Sequence, residues 1–403
     1  MTGSGSASNR AERTGFDLSC PRRLRTATAV QLNQEQVLSA CIAIDGRFLT
    51  QRTTGVQRYA REIVRALDAA AIPGVDLELI CPHDAERLAL AHIRQTFRGV
   101  GRGQAWEQLQ LPWFAGGRPL LCLCSLAPIF CRHRAVVVHD AAVFDVPEGF
   151  SPLFTAWYRV VLRALAVSGT HLITVSEFSR ARLARALHVP PGRIEVIGEG
   201  TDHVDRIQPD HSLADRLLGQ PYVLAIGSLQ PNKNIGTLEA AMQDRRLAHL
   251  KLVVAGGHSP RVFRAGPGNG NAPNVEYTGH VTDGQLVGLL QRATLFVFPS
   301  RYEGFGLPPL EAMRVGCPVL ASNAASIPEA CGEDAAVYFD PDDVGQLASA
   351  IARLAADDGE RARLVAAGRR RADQLKWDVK AHAVLGSVRK CFAARTAHQP
   401  NPT

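Results

Sequence analysis

Past residue 36 the chain alternates, block after block, between two kinds of apolar pattern. Short runs rich in β-branched and aromatic residues, closed by Gly, Pro, Asp or Ser, predict buried strands at 37–44, 75–81, 120–124, 135–139, 172–175 and 194–197. Between them, apolar residues at helical spacing predict helices at 56–69, 84–97, 151–167 and 177–187. The first of these gathers Val56, Tyr59, Ala60, Ile63, Val64 and Leu67 on one face, with Thr54 as its cap. Residues 198–220 carry scattered Gly, Asp and Pro without any period and read as a linker. The alternation then resumes, with strands expected at 222–226, 250–255, 275–278, 294–298 and 317–321. Helices are expected at 235–244, 283–291, 310–315, 344–355, 361–373 and 377–393, and a surface loop at 265–274. Such alternation makes parallel sheets covered on both faces, with ligands outside the carboxyl ends of the strands. Residues 1–36, rich in Ser, Thr, Arg and Gly, predict a disordered tail.

The stretch 294–321, TLFVFPSRYEGFGLPPLEAMRVGCPVLA, holds the densest chemistry. Its apolar run stops at Pro299, Gly304 and Gly306 bracket Phe305, and Pro308 and Pro309 suit a first helical turn. The unit is therefore strand, glycine loop, helix, strand. Free N–H groups of Phe305, Gly306 and Leu307 at a helix start favour an anion such as phosphate. Glu303 falls in the loop and Glu311 in the first helical turn, and a carboxylate there accepts hydrogen bonds from sugar or ribose hydroxyls. Taken alone, Glu311 serves the helix dipole equally well. Two carboxylates flanking a glycine loop favour the hydroxyl-binding reading.

Composition narrows the picture only in part. With 403 residues, 46% apolar and 21% charged, the chain has the balance of a soluble protein of two domains. Net charge is +7, and between 86 and 135 seven arginines face only Glu86 and Glu107. Such a run fits an anionic membrane or a lipid-diphosphate acceptor, or is simply a solvated surface. No zinc-finger spacing, ribonucleoprotein motif or lysine tail points to nucleic acid. The nine cysteines fit no structural zinc pattern. Cys122 and Cys124, expected on one face of a strand, read with the others as small buried hydrophobes in a reducing compartment. No apolar run approaches the ~18 residues of a membrane span. A cytoplasmic protein, peripheral at the inner face of the membrane, is the expectation.

Four further places carry candidate chemistry. Gly55 opens a helix after a strand, which is an anion site in principle and a plain cap and loop otherwise. His139, with Asp140, follows a strand and so sits at the ligand edge. Lys233 lies in the loop GSLQPNKN between strand and helix, where a cation meets diphosphate or only solvent. Trp106-Glu107-Gln108 and Leu111-Pro112-Trp113 read as aromatic core or as acceptor contacts.

Pro299-Ser300, the run Glu303 to Pro308 and Glu311 together resemble the signature of the retaining, nucleotide-sugar-dependent glycosyltransferases of the GT-B fold, family four. The resemblance extends over 37–395 and implies an α/β fold of two Rossmann-like domains with parallel sheets and an interdomain cleft. It implies a tail (1–36), an acceptor domain (37–205), a donor domain (206–376), and a C-terminal helix crossing back to the first domain with a tail (377–403). Glu311 would hold the donor ribose, Glu303 and His139 would flank the donor sugar, and Lys233 the diphosphate. Gly55, Phe305, Gly306 and Leu307 would face the phosphates, with Gly256 and Val281 lining the base pocket. Ser228 stands where relatives carry an Arg, so one diphosphate contact is missing or comes from elsewhere. No cofactor is implied, and no Asp-x-Asp pair suggests a divalent metal. The activity implied is transfer of a sugar, mannose from GDP-mannose first, to a glycan or polyprenyl-diphosphate-linked acceptor in exopolysaccharide or O-antigen assembly. The rivals are a UDP-sugar epimerase and a nucleotide-sugar-binding protein without transfer.

Overall fold

The computed structural model describes residues 41–217, 219–227, 230–256 and 274–397. Ser228, the 1–36 tail, the start of the first strand and nearly all of the 265–274 loop lie outside them. In chain order the first half holds β1 (Ile42–Asp45), α1 (Gly55–Ala70), β2 (Leu77–Cys81), β3 (Arg94–Phe97), β4 (Leu120–Cys122), β5 (Arg134–Val137), α2 (Pro152–Val167), β6 (His171–Thr174), α3 (Glu177–Leu187) and β7 (Ile194–Val196). The second holds β8 (Tyr222–Ile226), α4 (Ile235–Ala241), β9 (Lys251–Ala255), β10 (Val275–Gly279), α5 (Asp283–Arg292), β11 (Leu295–Phe298), α6 (Leu307–Val315), β12 (Val319–Ser322) and β13 (Val337–Phe339). Three helices close the chain: α7 (Val344–Ala356), α8 (Asp358–Asp373) and α9 (Trp377–Ala397).

The strands form two parallel sheets, ordered β3-β2-β1-β4-β5-β6-β7 and β10-β9-β8-β11-β12-β13. Because the inner strands are buried on both faces, their successive residues feed different cores. Ile42 and Ile44 join α1 and α9 on one side, while Ala43 joins α2 and α3 on the other. The core under α1 and α9 runs on without a break to Leu224, Phe296 and Phe298 of the second sheet and to Leu310 and Met313 of α6. Val223, Leu252 and Val297 face a separate core under α4 and α7. The order reverses beside β1 in one sheet and β8 in the other, and the carboxyl ends at these switch points carry the loops of interest. Helix α9 lies against α1, and its Ser387 Oγ comes 2.6 Å from His171 Nε2 of β6. Among the described residues no helix is long and apolar enough to cross a membrane.

Four expectations need correction. The helix predicted at 84–97 is irregular chain running into β3. Asp68, at the end of α1, accepts the N–H groups of Ala91, His92 and Ile93 at 2.8, 2.8 and 2.6 Å, and Leu79 pairs with Gln95. The first contact takes donors a helix would need and aims the chain along β2. Cys122 and Cys124 do not share a face: β4 ends at Cys122, so the latter turns to the α1 core. Trp113 is no core residue, being 84% exposed, although Trp106 is fully buried. Glu311 is not in the first turn of α6, since Leu307 already opens the helix ahead of the two prolines. Sequence periodicity also missed β13 and the short helix Ile327–Cys331, both too brief to repeat a pattern.

Burial opposes ionisation of Asp68, but the three backbone N–H donors hold its carboxyl below the usual carboxylate range. Its contribution to stability is therefore full above the unfolded-state pKa near 4 and is lost as pH falls through the lower folded value. Replacing it, Asp68→Ala, strands those donors and costs about 2–3 kcal/mol. Urea unfolding should show that loss at neutral pH and a smaller difference from the parent near pH 3.

Candidate functional site

The loop after β11 is fixed from both sheets. Arg301 N–H donates to Asn232 O at 2.8 Å, and Asn234 Nδ2 donates to Pro299 O and Pro341 O at 3.1 and 2.8 Å. These bonds set the loop 231–234 beside 299–305. Lys233 Nζ then meets Glu303 Oε1 at 2.7 Å, a half-buried pair at the carboxyl edge of the second sheet. From the start of α3, behind the first sheet's β6, Ser176 and Ser179 hydroxyls donate to Gly304 O at 2.6 and 2.9 Å, and Ser179 Oγ also reaches His139 O at 3.0 Å. A Cβ on residue 304 would stand 2.4 Å from His139 O, so only glycine lets the two loops meet. Gly306 caps α6 at φ 117, a left-handed conformation that L side chains rarely adopt, and because Pro308 and Pro309 have no N–H, the backbone donors at this helix start are those of Phe305, Gly306 and Leu307.

His139 lies two residues past β5 and is buried. Its Nε2 is 2.9 Å from Leu123 O, so Nε2 carries a proton, and its Nδ1 lies 3.6 Å from Glu199 Oε1. A direct bond from this ring to a substrate would have to displace one of these partners. Burial pushes the Glu199 carboxyl up, with the His139 contact opposing. Asp140, beside it, is also pushed up by burial, opposed by the Ala142 N–H at 2.8 Å and assisted by the Glu303 carboxylate across the gap. A proton is therefore more readily kept on this first-sheet edge than free carboxylates would allow.

Glu311 projects one turn into α6. Its Oε1 accepts from His203 Nε2 at 2.9 Å, and Trp377 Nε1 donates to His203 Nδ1 at 3.0 Å. With Nδ1 accepting, the neutral His203 has its proton on Nε2, aimed at the carboxylate. This relay keeps Glu311 facing a small cavity of ≈ 30 Å³ lined by Arg58, Val204, Asp283, Leu286 and Leu290, where Arg58 pairs with Asp283 at 2.5 Å. Gly55 opens α1 just ahead of Arg58, and an added Cβ there would touch nothing within 4 Å. Gly256, at the end of β9, packs on the Gly227 backbone, and half-buried Val281 precedes the cap of α5.

Of the residues predicted from sequence, the fold brings Lys233, Glu303, Gly304 and His139 to one place, with Phe305, Gly306 and Leu307 continuing the same loop into α6. Glu311 stands behind them on its own brace, while Gly256 and Val281 sit at the neighbouring strand ends. Glu107 is not an exposed contact: it is buried against Arg47 and Asp45, and burial, with the Glu107 charge, pushes Asp45 up to about 7. Sequence reading missed Glu199 and His203, which lie in the aperiodic linker, and Ser176 and Ser179, which look like an ordinary helix cap.

Residues 214–371 match the family described as "Glycosyl transferases group 1", and residues 53–204 match "Glycosyltransferase Family 4". The O-antigen chain mannosyltransferase B of Escherichia coli is 35% identical over 61% of this chain and 67% of that protein. The GDP-mannose-dependent alpha-(1-6)-phosphatidylinositol monomannoside mannosyltransferase of Mycobacterium tuberculosis is 30% identical over 72% of this chain and 78% of its own. A serotype-specific mannosyltransferase WbdA of E. coli is 30% identical over 55% of this chain, which spans only 28% of that longer protein. Among solved structures, a sucrose-phosphate synthase from Thermosynechococcus elongatus superposes with a TM-score of 0.68 at 22% identity, covering 88% of this chain and 100% of the other. WaaG, a glycosyltransferase involved in lipopolysaccharide biosynthesis, gives 0.60 at 17% identity, covering 89% and 100%. Both share the two-sheet GT-B architecture. The chain belongs to the family 4, group 1 glycosyltransferases and is an enzyme of glycosyl transfer.

Proposed function

We propose that this enzyme moves a mannosyl group from GDP-mannose, with retention of configuration, to a lipid-linked or glycan acceptor in O-antigen or exopolysaccharide assembly. The observation that carries the reading is the Glu303–Lys233 pair set against the α6 N-terminus, with Glu311 held apart by His203. A nucleotide diphosphate sugar has three chemically distinct parts, and the site has a group suited to each. The ribose diol needs an acceptor, and Glu311 is a braced carboxylate. The diphosphate needs donors and a cation, and α6 with Lys233 offers them. The sugar lies between Glu303 and the His139 edge, with Gly55 across the gap. Support for mannose comes from the mannosyltransferase relatives, one of them GDP-mannose-dependent. In this reading 37–205 is an acceptor unit and 206–376 a donor unit, a division supported by there being one sheet in each. Contact with an anionic membrane fits the relative that acts on a phosphatidylinositol mannoside.

The chemistry asked of the site is charge stabilisation on the departing diphosphate. Lys233 trades its Glu303 partner for phosphate as donor binds, which frees the Glu303 carboxylate to accept from sugar hydroxyls. The acceptor proton passes to the leaving phosphate oxygen, so no enzyme carboxylate pair spaced for a double displacement is required.

Thermal-shift measurement against GDP, UDP, ADP and their sugars tests the donor, because a bound nucleotide raises the melting temperature by mass action. GDP and GDP-mannose should stand out; a preference for UDP would overturn the mannose assignment. Lys233→Ala should lower kcat about 100-fold or more through loss of transition-state charge stabilisation, measured by GDP release with acceptor present. Glu311→Ala should weaken GDP binding about 10- to 100-fold, the worth of charge-assisted hydrogen bonds to a ribose. His203→Ala should raise donor KM by a smaller factor and leave kcat nearly unchanged, and Trp377→Phe, which keeps the ring but removes the N–H donor, should shift KM the same way.

A further inference from the structure

Helix α2 is apolar on two opposite sides. Its inner side, with Val161, Leu162 and Leu165, packs in the core beneath the first sheet. Its outer side carries Leu153, Ala156, Trp157, Val160, Ala164 and Val167 at helical spacing, with Leu153 82%, Val160 59% and Val167 84% exposed. A helix at the surface of a soluble domain ordinarily places charged and polar residues there, and an all-round apolar helix is one that something covers. No acidic residue occurs in 152–167, and the charges it carries are Arg159 and Arg163. Both guanidinium groups lie over the Phe144 ring, 5.6 and 5.5 Å from its centroid, which keeps them beside the apolar strip.

The strip continues onto a neighbour. Residues 106–115 pack in the same core as α2, and Leu109 and Trp113 are exposed on them. Trp157 Nε1 donates to Gln104 Oε1 at 3.3 Å, joining the two segments. The arginine run at 86–135 is less free than its sequence suggests: Arg98 and Arg118 pair with Glu78, and Arg102 with Asp84.

We propose that the outer side of α2, continued by Leu109 and Trp113, is a docking surface for a lipid bilayer bearing anionic headgroups. This names the element behind the peripheral contact read above and rests on that reading for its purpose. Trp and Leu side chains insert at the acyl boundary while flanking arginines meet headgroup phosphate, the arrangement of an interfacial amphipathic surface. A second copy of the chain fits less well. A symmetric pairing through α2 would bring Arg159 and Arg163 toward their own copies with no acid on the helix to offset them.

The test is co-sedimentation of the full chain with vesicles of phosphatidylethanolamine alone or mixed with phosphatidylglycerol. The parent should bind the mixed vesicles more tightly and lose that gain at high salt. A triple change, Leu153→Ser, Trp157→Ser and Val160→Ser, should weaken vesicle binding about tenfold or more, since each residue loses its apolar insertion. The melting temperature and GDP-induced shift of this variant should match the parent, which separates loss of docking from loss of fold. Equal vesicle binding by parent and variant would overturn the α2 assignment while leaving peripheral contact standing. Absence of vesicle binding by the parent would overturn both, with the donor reading still judged by nucleotide binding. A parent dimer in light scattering that the variant converts to monomer would assign the strip to self-association and overturn the membrane proposal.

Discussion

Residue 304 has its carbonyl under two serine hydroxyls from the start of α3 and its α-carbon against the His139 backbone, where a Cβ would stand 2.4 Å from a carbonyl oxygen. That one backbone approach sets the separation of the two lobes at the point where it matters. Groups on opposite sides of the gap then sense each other: the Glu303 charge reaches Asp140 and helps to push its carboxyl up, after burial. A few tenths of an ångström more would weaken both serine bonds and let water in, and the electrostatics of the edge would change with it.

The linker turns out to be an organising part of the molecule. Within five residues it supplies Glu199, which faces His139 of the first lobe, and His203, which faces Glu311 of the second. It is in turn fastened to the last helix, through Asp202 Oδ1 accepting the Trp377 N–H at 2.8 Å and through the Trp377 indole. Residues far apart in sequence thus meet at one short crossing, and both edges of the cleft are oriented from the same piece of chain.

Much of this was legible beforehand, for reasons that are local. The unit β11–loop–α6–β12 could be read because its breakers, glycines and prolines act on their own neighbours. Parallel sheets follow from continuous apolar runs separated by amphipathic helices. What resisted reading depends on tertiary partners. Residues 84–93 have a helical pattern, yet Asp68 takes three of their N–H groups from another element. Trp113 looks like core beside Trp106, but only one of them has a sheet to lie on. Glu199 and His203 sit in a stretch without period, and nothing in their neighbours announces what they face.

Glu329, from the short helix after β12, accepts the N–H groups of Glu177 and Phe178 at 2.8 and 3.1 Å. In the first turn of α3 the Ser179 N–H is satisfied by Ser176 Oγ, and these two donors are satisfied by a side chain from the other lobe. Separating the lobes would leave those donors to solvent, at a cost on the order of 1 kcal/mol for a lost helix cap. The clamp thus has one latch placed away from the sugar, a carboxylate that adds to the hold between the two halves without needing to meet the substrate.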